Sequence, residues 1–129
     1  IGMGGNIGTQ SSTIIVRGMA TGRIEVGSEL LVLVKELKVG LILGILYGIL
    51  LGIFANLKFI ETDPMLGLVV GLSIASSMLI AVTVGSFTPL ILRKLEIDPA
   101  VAAGPFVTTS IDILGVLLYF VIAGILLKI

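Results

Sequence analysis

The residue best suited to functional chemistry is Asp112, whose carboxylate lies deep in a long apolar segment. Placing a charged side chain at the centre of a bilayer costs about 2.5–3.5 kcal/mol on insertion scales, so such residues usually face a bundle interior or a water-filled path. A structural alternative is an ion pair with Arg17, or a protonated and hydrogen-bonded carboxyl. Arg17 is expected nearer the end of its own helix, which favours an ion-binding role for Asp112.

Helical spacing places small and hydroxyl-bearing residues on the same broad face as Asp112. They are Gly104, Thr108, Gly115 and Tyr119. Thr109 lies beside this face, which could border a narrow water path. Mg²⁺ keeps several of its waters and often meets proteins through one or two carboxylates, whereas Ca²⁺ favours more direct oxygen ligands. Because rings of acidic residues are common in cation pathways, two copies of Asp112 at a two-fold axis would suit hydrated Mg²⁺.

A second candidate site is the glycine-rich run over residues 4–11, with the sequence GGNIGTQS. Glycine permits close backbone approach or local unwinding, and irregular backbone at membrane depth survives where it is buried or lines a cavity. We expect exposed carbonyls and polar side chains of this run to contact hydrated ions. The residues concerned are Gly5, Asn6, Thr9 and Gln10. The run lacks the lysine of a phosphate-binding loop and does not fit GxGxxG.

The composition indicates where these residues must sit. Of 129 residues, 57% are hydrophobic and 12% are charged, against about 25% charged in a typical soluble domain. A soluble fold of this length cannot bury so much apolar surface, so we predict an all-α integral membrane protein, a polytopic bundle of about four helices in a lipid bilayer. The absence of cysteine and histidine excludes disulfides, thiolate sites and the commonest general base. No basic cluster suggests nucleic acid.

Charged residues divide the chain into four helical segments of roughly membrane-spanning length. The predicted segments are residues 1–21, 37–56, 64–92 and 99–127. Asp98 is predicted to cap the last helix, with Pro99 in its first turn, and Pro64 is predicted in the first turn of the third. Gly104-Pro105 is expected to loosen or break the last helix near its start. The first segment is too polar to face lipid and is expected inside the bundle.

The second segment carries a glycine every four residues along one face. These are Gly40, Gly44, Gly48 and Gly52. Small residues at this spacing let two helix backbones approach closely in lipid. We expect them to pack helices within one subunit, with a seam between two subunits as the alternative.

The connections between segments set the expected topology. Basic residues gather in the first and third connections, whereas the second has Lys58 beside two acidic residues. Because positive charge marks the cytoplasmic side, we place the first and third connections in the cytoplasm and the second connection and the C-terminus outside a plasma membrane. The first connection also has an amphipathic pattern that predicts a short interfacial helix. That pattern comprises Glu25, Glu29, Leu30, Leu31 and Val34.

Two separated motifs resemble those of MgtE-type magnesium transporters. The first is GGNIGTQS at residues 4–11, followed by VRGMA at residues 16–20. The second comprises DPA at residues 98–100, GPFVTT at 104–109 and DILG at 112–115, similar to the last membrane helix of that family. The resemblance covers essentially the whole chain. It implies an MgtE-like transmembrane domain over residues 1–129 holding the last four of five helices, without the first helix and the cytosolic regulatory domains.

The resemblance also implies roles for individual residues. Asp112 corresponds to the pore carboxylate that holds hydrated Mg²⁺, Thr108 falls at another contact of that site, and Asn6 matches a pore-facing asparagine. Gly104 lies where some relatives carry a polar side chain. The family implies a homodimer with the ion path along its two-fold axis and Mg²⁺ as the transported ion.

Three further functions are open to the sequence. One is a secondary carrier coupled to Na⁺ or H⁺ at Asp112, which broken helices would suit. Another is a membrane assembly module that conducts nothing. The third, an intramembrane enzyme, would need a second aspartate at depth, and Asp98 sits at a helix entrance. We therefore expect no enzymatic activity.

Overall fold

The computed structural model describes residues 2–25, 27–59 and 61–128, apart from the side chains of residues 101–103. The described residues form four helices, which confirms the predicted all-α bundle. They are α1 (Gly2–Ala20), α2 (Glu29–Phe59), α3 (Leu66–Lys94) and α4 (Pro99–Leu127). Within this part of the chain, α2, α3 and α4 from Gly104 onward are each long and apolar enough to cross a membrane.

Helix α3 is the centre of the bundle and packs against each of the other three helices. Helices α1 and α4 also pack on each other, whereas α1 and α2 touch only slightly. Gly4 lies near Ser77 and Gly8 near Gly85, so α1 and α3 run in the same direction. Gly40 meets Val82 and Gly52 meets Gly67, so α2 runs opposite to α3. The α1–α2 and α3–α4 connections therefore share one end of the bundle, which we call the basic end.

A small apolar cluster closes the basic end. Ile15, Ile24, Leu33 and Leu90 are buried together there, with Met19 and Val32 packed against them. Ile24 belongs to the loop after α1 and folds back over Gly18, where any side chain would meet it. Its backbone N–H donates to the Gly18 carbonyl at 3.0 Å, so the loop is fixed to the last turn of α1.

The ends of α4 follow the sequence prediction. Asp98 caps the helix, because its carboxylate accepts the Ala100 N–H at 3.0 Å, and Pro99 occupies the first helical position. The predicted break at Gly104-Pro105 was wrong: α4 is one continuous helix from Pro99 to Leu127. Pro105 removes a single N–H donor close to the start of a long helix, and loss of that one bond does not interrupt the hydrogen-bonded turns that follow.

Three other expectations need correction. Helix α2 begins at Glu29 rather than near Leu37, so the amphipathic stretch forms its first turns and not a separate interfacial helix, while Glu25 stays in the loop. Gly27, at φ +102°, supplies the break before α2. Helix α1 is regular over the glycine-rich run, with no local unwinding, and of the two expected uses of glycine the structure shows close backbone approach, since a Cβ on Gly8 would lie 2.8 Å from the Ala81 carbonyl oxygen. Pro64 lies in the turn before α3, which begins at Leu66.

Candidate functional site

Asp112 lies on an exposed part of α4, beside α1. A Cβ atom built on Gly5 of α1 would lie 3.6 Å from Asp112 Oδ1 and 4.0 Å from Thr108 Cγ2. Gly5 is buried, whereas Asp112 is exposed in the isolated chain. A methyl group at position 5 would therefore be in ordinary van der Waals contact with the carboxylate, and glycine leaves that space beside it open. The α1–α4 contact brings these three candidate residues together.

The two threonines near Asp112 differ in their surroundings. Thr108 is half-buried, and its hydroxyl donates to the Gly104 and Pro105 carbonyls at 3.1 Å each. Its oxygen keeps lone pairs that can accept a hydrogen bond from a hydrated ion. Thr109 is exposed. Gly104 is half-buried and a Cβ atom there would meet nothing within 4 Å, so this turn of α4 borders open space.

The predicted polar residues of α1 divide between two faces. Asn6 and Gln10 are four residues apart and both are exposed. Thr13 and Arg17, further along the same face of the helix, are exposed as well. Thr9 is half-buried and its hydroxyl donates to the Gly5 carbonyl at 2.8 Å. The exposed face of α1 therefore carries a polar stripe from Asn6 to Arg17, with the apolar side chain of Ile14, 51% exposed, beside it. Amide and hydroxyl groups at helical spacing suit water more than lipid.

The position of Asp112 excludes the ion pair with Arg17 that the sequence left open. Arg17 lies twelve residues beyond Gly5 on α1, which is roughly 18 Å along the helix axis and too far for an ion pair. Among the residues that the structure describes, no group of three or more acidic, histidine or cysteine side chains could hold a metal. A single exposed carboxylate is a poor cage for a dehydrated ion, but it matches an ion that keeps its water shell.

The rest of the predicted α4 face turns toward a neighbouring cavity. Gly115 is buried, and a Cβ atom built on it would lie 3.2 Å from the Ser77 hydroxyl oxygen. Tyr119 is 39% exposed. Both line a cavity of about 280 Å³ that also includes Met3, Ser73 and Ser77. The helical face predicted from sequence is therefore split: its first half, to Asp112, is open, and its second half borders this cavity.

The glycine row of α2 lies against α3 of the same chain. Cβ atoms on Gly44, Gly48 and Gly52 would lie 2.8–2.9 Å from the carbonyl oxygens of Ala75, Gly71 and Gly67. A Cβ on Gly40 would meet the Val82 side chain. The row therefore lets the α2 and α3 backbones touch, and this face is not free to contact another subunit.

Glu36 is a functional candidate that the sequence analysis missed. Its carboxylate is buried, at 9% exposure, and its Oε2 atom accepts a hydrogen bond from the Ser11 hydroxyl at 2.7 Å. A signal was present in the sequence, because Glu36 lies one turn before Gly40 and so continues the glycine row toward the bundle interior. Lys35 and Lys38 lie beside it, and because charged residues are typical of a loop, the sequence pattern places this position in the first connection.

Comparison with known proteins places the chain in a family. A family model described as "MgtE: Divalent cation transporter" matches residues 1–122. The chain is 38% identical over 128 residues to the magnesium transporter MgtE of Thermus thermophilus, covering 99% of this chain and 28% of that protein. It is 34% identical to the proteins of the same name from Bacillus subtilis and Enterococcus faecalis, covering 95% and 98% of this chain. The chain thus spans 27–28% of the length of these relatives.

Proposed function

This chain belongs to the MgtE family of divalent cation transporters, and from that premise we propose that it carries Mg²⁺ across a membrane along a path that passes the Asp112 carboxylate. The transported ion is the substrate, and the named relatives are magnesium transporters. The observation that carries the proposal is an exposed, mid-helix carboxylate set against a buried glycine of another helix.

The surroundings of Asp112 support the view that it faces an ion path and not lipid. On α4, Ile113, Leu117 and Phe120 are all more than half exposed and form an apolar surface suited to lipid. Asp112 lies instead beside α1, whose own exposed stripe begins at Asn6. A carboxylate and a row of amide and hydroxyl groups on adjoining helices would keep water between them. Hydrated Mg²⁺ would meet Asp112 through its water ligands, with Thr108 and Asn6 as further contacts.

A second copy of the chain would complete this path. One Asp112 supplies a single negative charge, and two copies across a two-fold axis would balance the charge of one Mg²⁺ ion. The exposed polar stripe of α1 would then be covered by its counterpart instead of by lipid. The sequence has no cysteine, so single-cysteine variants report contacts cleanly. We expect Gln10→Cys to form a disulfide between copies under mild oxidation, and Leu46→Cys, on an exposed apolar face of α2, to form none.

Isotope flux into proteoliposomes tests the proposal directly. We expect Asp112→Asn to lower Mg²⁺ uptake by roughly 10- to 100-fold, which corresponds to losing charge-assisted contacts worth about 1.5–3 kcal/mol. Glu61→Gln is the matched control, because it removes an exposed carboxylate from the α2–α3 connection. Normal uptake by Asp112→Asn at equal protein level would contradict the proposed role of Asp112.

The same assay separates a channel from a coupled carrier. Mg²⁺ uptake that is unchanged when the Na⁺ or pH gradient is removed supports a conducting path. Uptake that stops without one of these gradients supports a carrier, in which Asp112 would also bind Na⁺ or a proton. If the protein with an intact Asp112 binds and moves no divalent ion, a non-conducting assembly role is favoured.

A further inference from the structure

A second pocket lies at the basic end, between α2 and α3, away from Asp112. It has a volume of about 470 Å³. Its charged residues are Glu29 at the start of α2 and Arg93 and Lys94 at the end of α3. Its remaining wall is apolar and includes Leu30 and Phe87. The pocket therefore has a charged rim at the membrane surface and an apolar wall on the outer surface of α2 and α3.

The charged rim carries an excess of positive charge. The carboxylate of Glu29 already accepts the Gly27 N–H at 2.7 Å, so part of its hydrogen-bonding capacity is used by the loop. Arg93 Nη1 donates to the Ile24 carbonyl at 3.5 Å, and within the described residues its guanidinium makes no other hydrogen bond, so further N–H groups can meet an anion. Lys94 is exposed. Two cations against one carboxylate leave one positive charge, which a single phosphodiester would neutralise.

The apolar wall extends the pocket along the helix surface. Leu30 is 71% exposed, Phe87 42% and Ile91 51%. Phe87 and Ile91 are four residues apart on α3 and so lie one above the other on the same face. These side chains continue from the cations toward the apolar middle of the bundle. A free phosphate would use the rim alone, whereas a lipid would use both the rim and the wall.

We infer that this pocket binds an anionic phospholipid, with its phosphate on Arg93 and Lys94 and an acyl chain along Leu30, Phe87 and Ile91. Basic pockets between membrane helices are known to bind anionic lipid headgroups. A net negative headgroup such as phosphatidylglycerol is favoured over phosphatidylcholine, because choline would return the positive charge that the phosphate neutralises. This site is independent of the ion path at Asp112.

Lipid binding is measured by native mass spectrometry of the protein in nanodiscs or micelles containing phosphatidylcholine with increasing phosphatidylglycerol. We expect preferential retention of phosphatidylglycerol, and we expect Arg93→Gln with Lys94→Gln to weaken it by roughly 10- to 30-fold. The matched control is Lys35→Gln with Lys38→Gln, which removes the same charge from exposed positions of α2 near the same end. This control is expected to retain most of the binding.

A second variant keeps the test decisive if the double variant folds poorly. Glu29→Gln removes the negative charge of the rim and is expected to tighten phosphatidylglycerol binding roughly fivefold. Equal loss in both double variants would show general surface attraction and would overturn the proposal. So would unchanged binding in Arg93→Gln with Lys94→Gln, or equal retention of phosphatidylcholine. Displacement of the lipid by inorganic phosphate alone would identify a phosphate site and reject the acyl-chain contact.

Discussion

The Ser11 hydroxyl donates a hydrogen bond of 2.7 Å to Glu36 Oε2, joining α1 to α2 across a buried contact. These two helices otherwise touch little, because each packs mainly on α3. The bond therefore ties the helix that carries Asn6 and Gln10 to the helix that begins at Glu29. A buried carboxylate also needs such a partner, since leaving it unpaired is costly.

Removing this bond should destabilise the bundle without touching the ion path. We expect Ser11→Ala to lower the free energy of unfolding by about 1–3 kcal/mol, because the buried Glu36 carboxylate loses its donor. Denaturant unfolding in detergent measures the change. Ser73→Ala is the matched control: Ser73 is also buried, but its hydroxyl has no hydrogen-bond partner among the described residues, so little stability should be lost. Equal losses in the two variants would show that Ser11 contributes packing and no special bond.

The contact between α2 and α3 gives a prediction about glycine. A Cβ on Gly48 would lie 2.8 Å from the Gly71 carbonyl oxygen, whereas one on Gly2 would meet nothing within 4 Å. We expect Gly48→Leu to destabilise the protein by about 1–3 kcal/mol, because the helix backbones must separate. Gly2→Leu should leave the unfolding midpoint unchanged or slightly raised. Both variants are compared by thermal unfolding in the same detergent, and a tolerated Gly48→Leu would contradict the direct backbone contact.

Much of the fold and part of the site could be predicted from local patterns. The last helix was placed correctly because Asp98-Pro99 is a local start signal, and the row from Gly40 to Gly52 follows from one periodicity. The sequence pattern predicts the start of α2 too late, because the charged residues of its first turns are typical of a loop. Whether Glu36 is buried depends on Ser11, which lies 25 residues away in sequence and meets it only after folding.

Prediction of the site from sequence is limited in the same way, because contacts between distant residues are not visible in local patterns. Spacing along α4 placed Thr108 and Asp112 on one face, but spacing within a single helix cannot say which neighbour meets that face. The α1–α4 packing supplies Gly5, and it also turns Gly115 and Tyr119 away toward a separate cavity. Pro105 shows the opposite error, since a local signal for a break was overridden by the long helix around it.

The space that Gly5 leaves beside Asp112 predicts an effect of bulk on transport. A methyl group at position 5 would sit 3.6 Å from Asp112 Oδ1, an ordinary contact distance, so Gly5→Ala is expected to fold. It would occupy space beside the carboxylate that a water ligand of a passing ion could otherwise fill. We expect Mg²⁺ flux in proteoliposomes to fall roughly fivefold, equivalent to one hydrogen bond of about 1 kcal/mol. Gly2→Ala serves as the control at an open position, and unchanged flux in Gly5→Ala would place the ion elsewhere.

The role of the Thr108 hydroxyl oxygen can be tested separately from the role of the side chain's shape. Thr108→Val keeps the size and β-branching of the side chain but removes the hydroxyl, which in the structure donates to the Gly104 and Pro105 carbonyls. Those carbonyls lie in a helix, so the fold should survive the change. If the hydroxyl oxygen accepts a hydrogen bond from the water shell of Mg²⁺, flux should fall roughly fivefold.

Thr108→Ser decides between this role and packing. Serine retains the oxygen and loses the methyl group, so it should keep most of the flux while removing the Thr108 Cγ2 atom that faces Gly5. The two variants are compared in proteoliposomes at equal protein level, with thermal unfolding as a check on folding. Loss of flux in Thr108→Ser with normal flux in Thr108→Val would assign the methyl group, and not the oxygen, to the function of this position. The expected order, with serine above valine, would assign the oxygen of position 108 to the ion path, because valine differs from threonine there only in lacking a group that can accept a hydrogen bond from a water ligand.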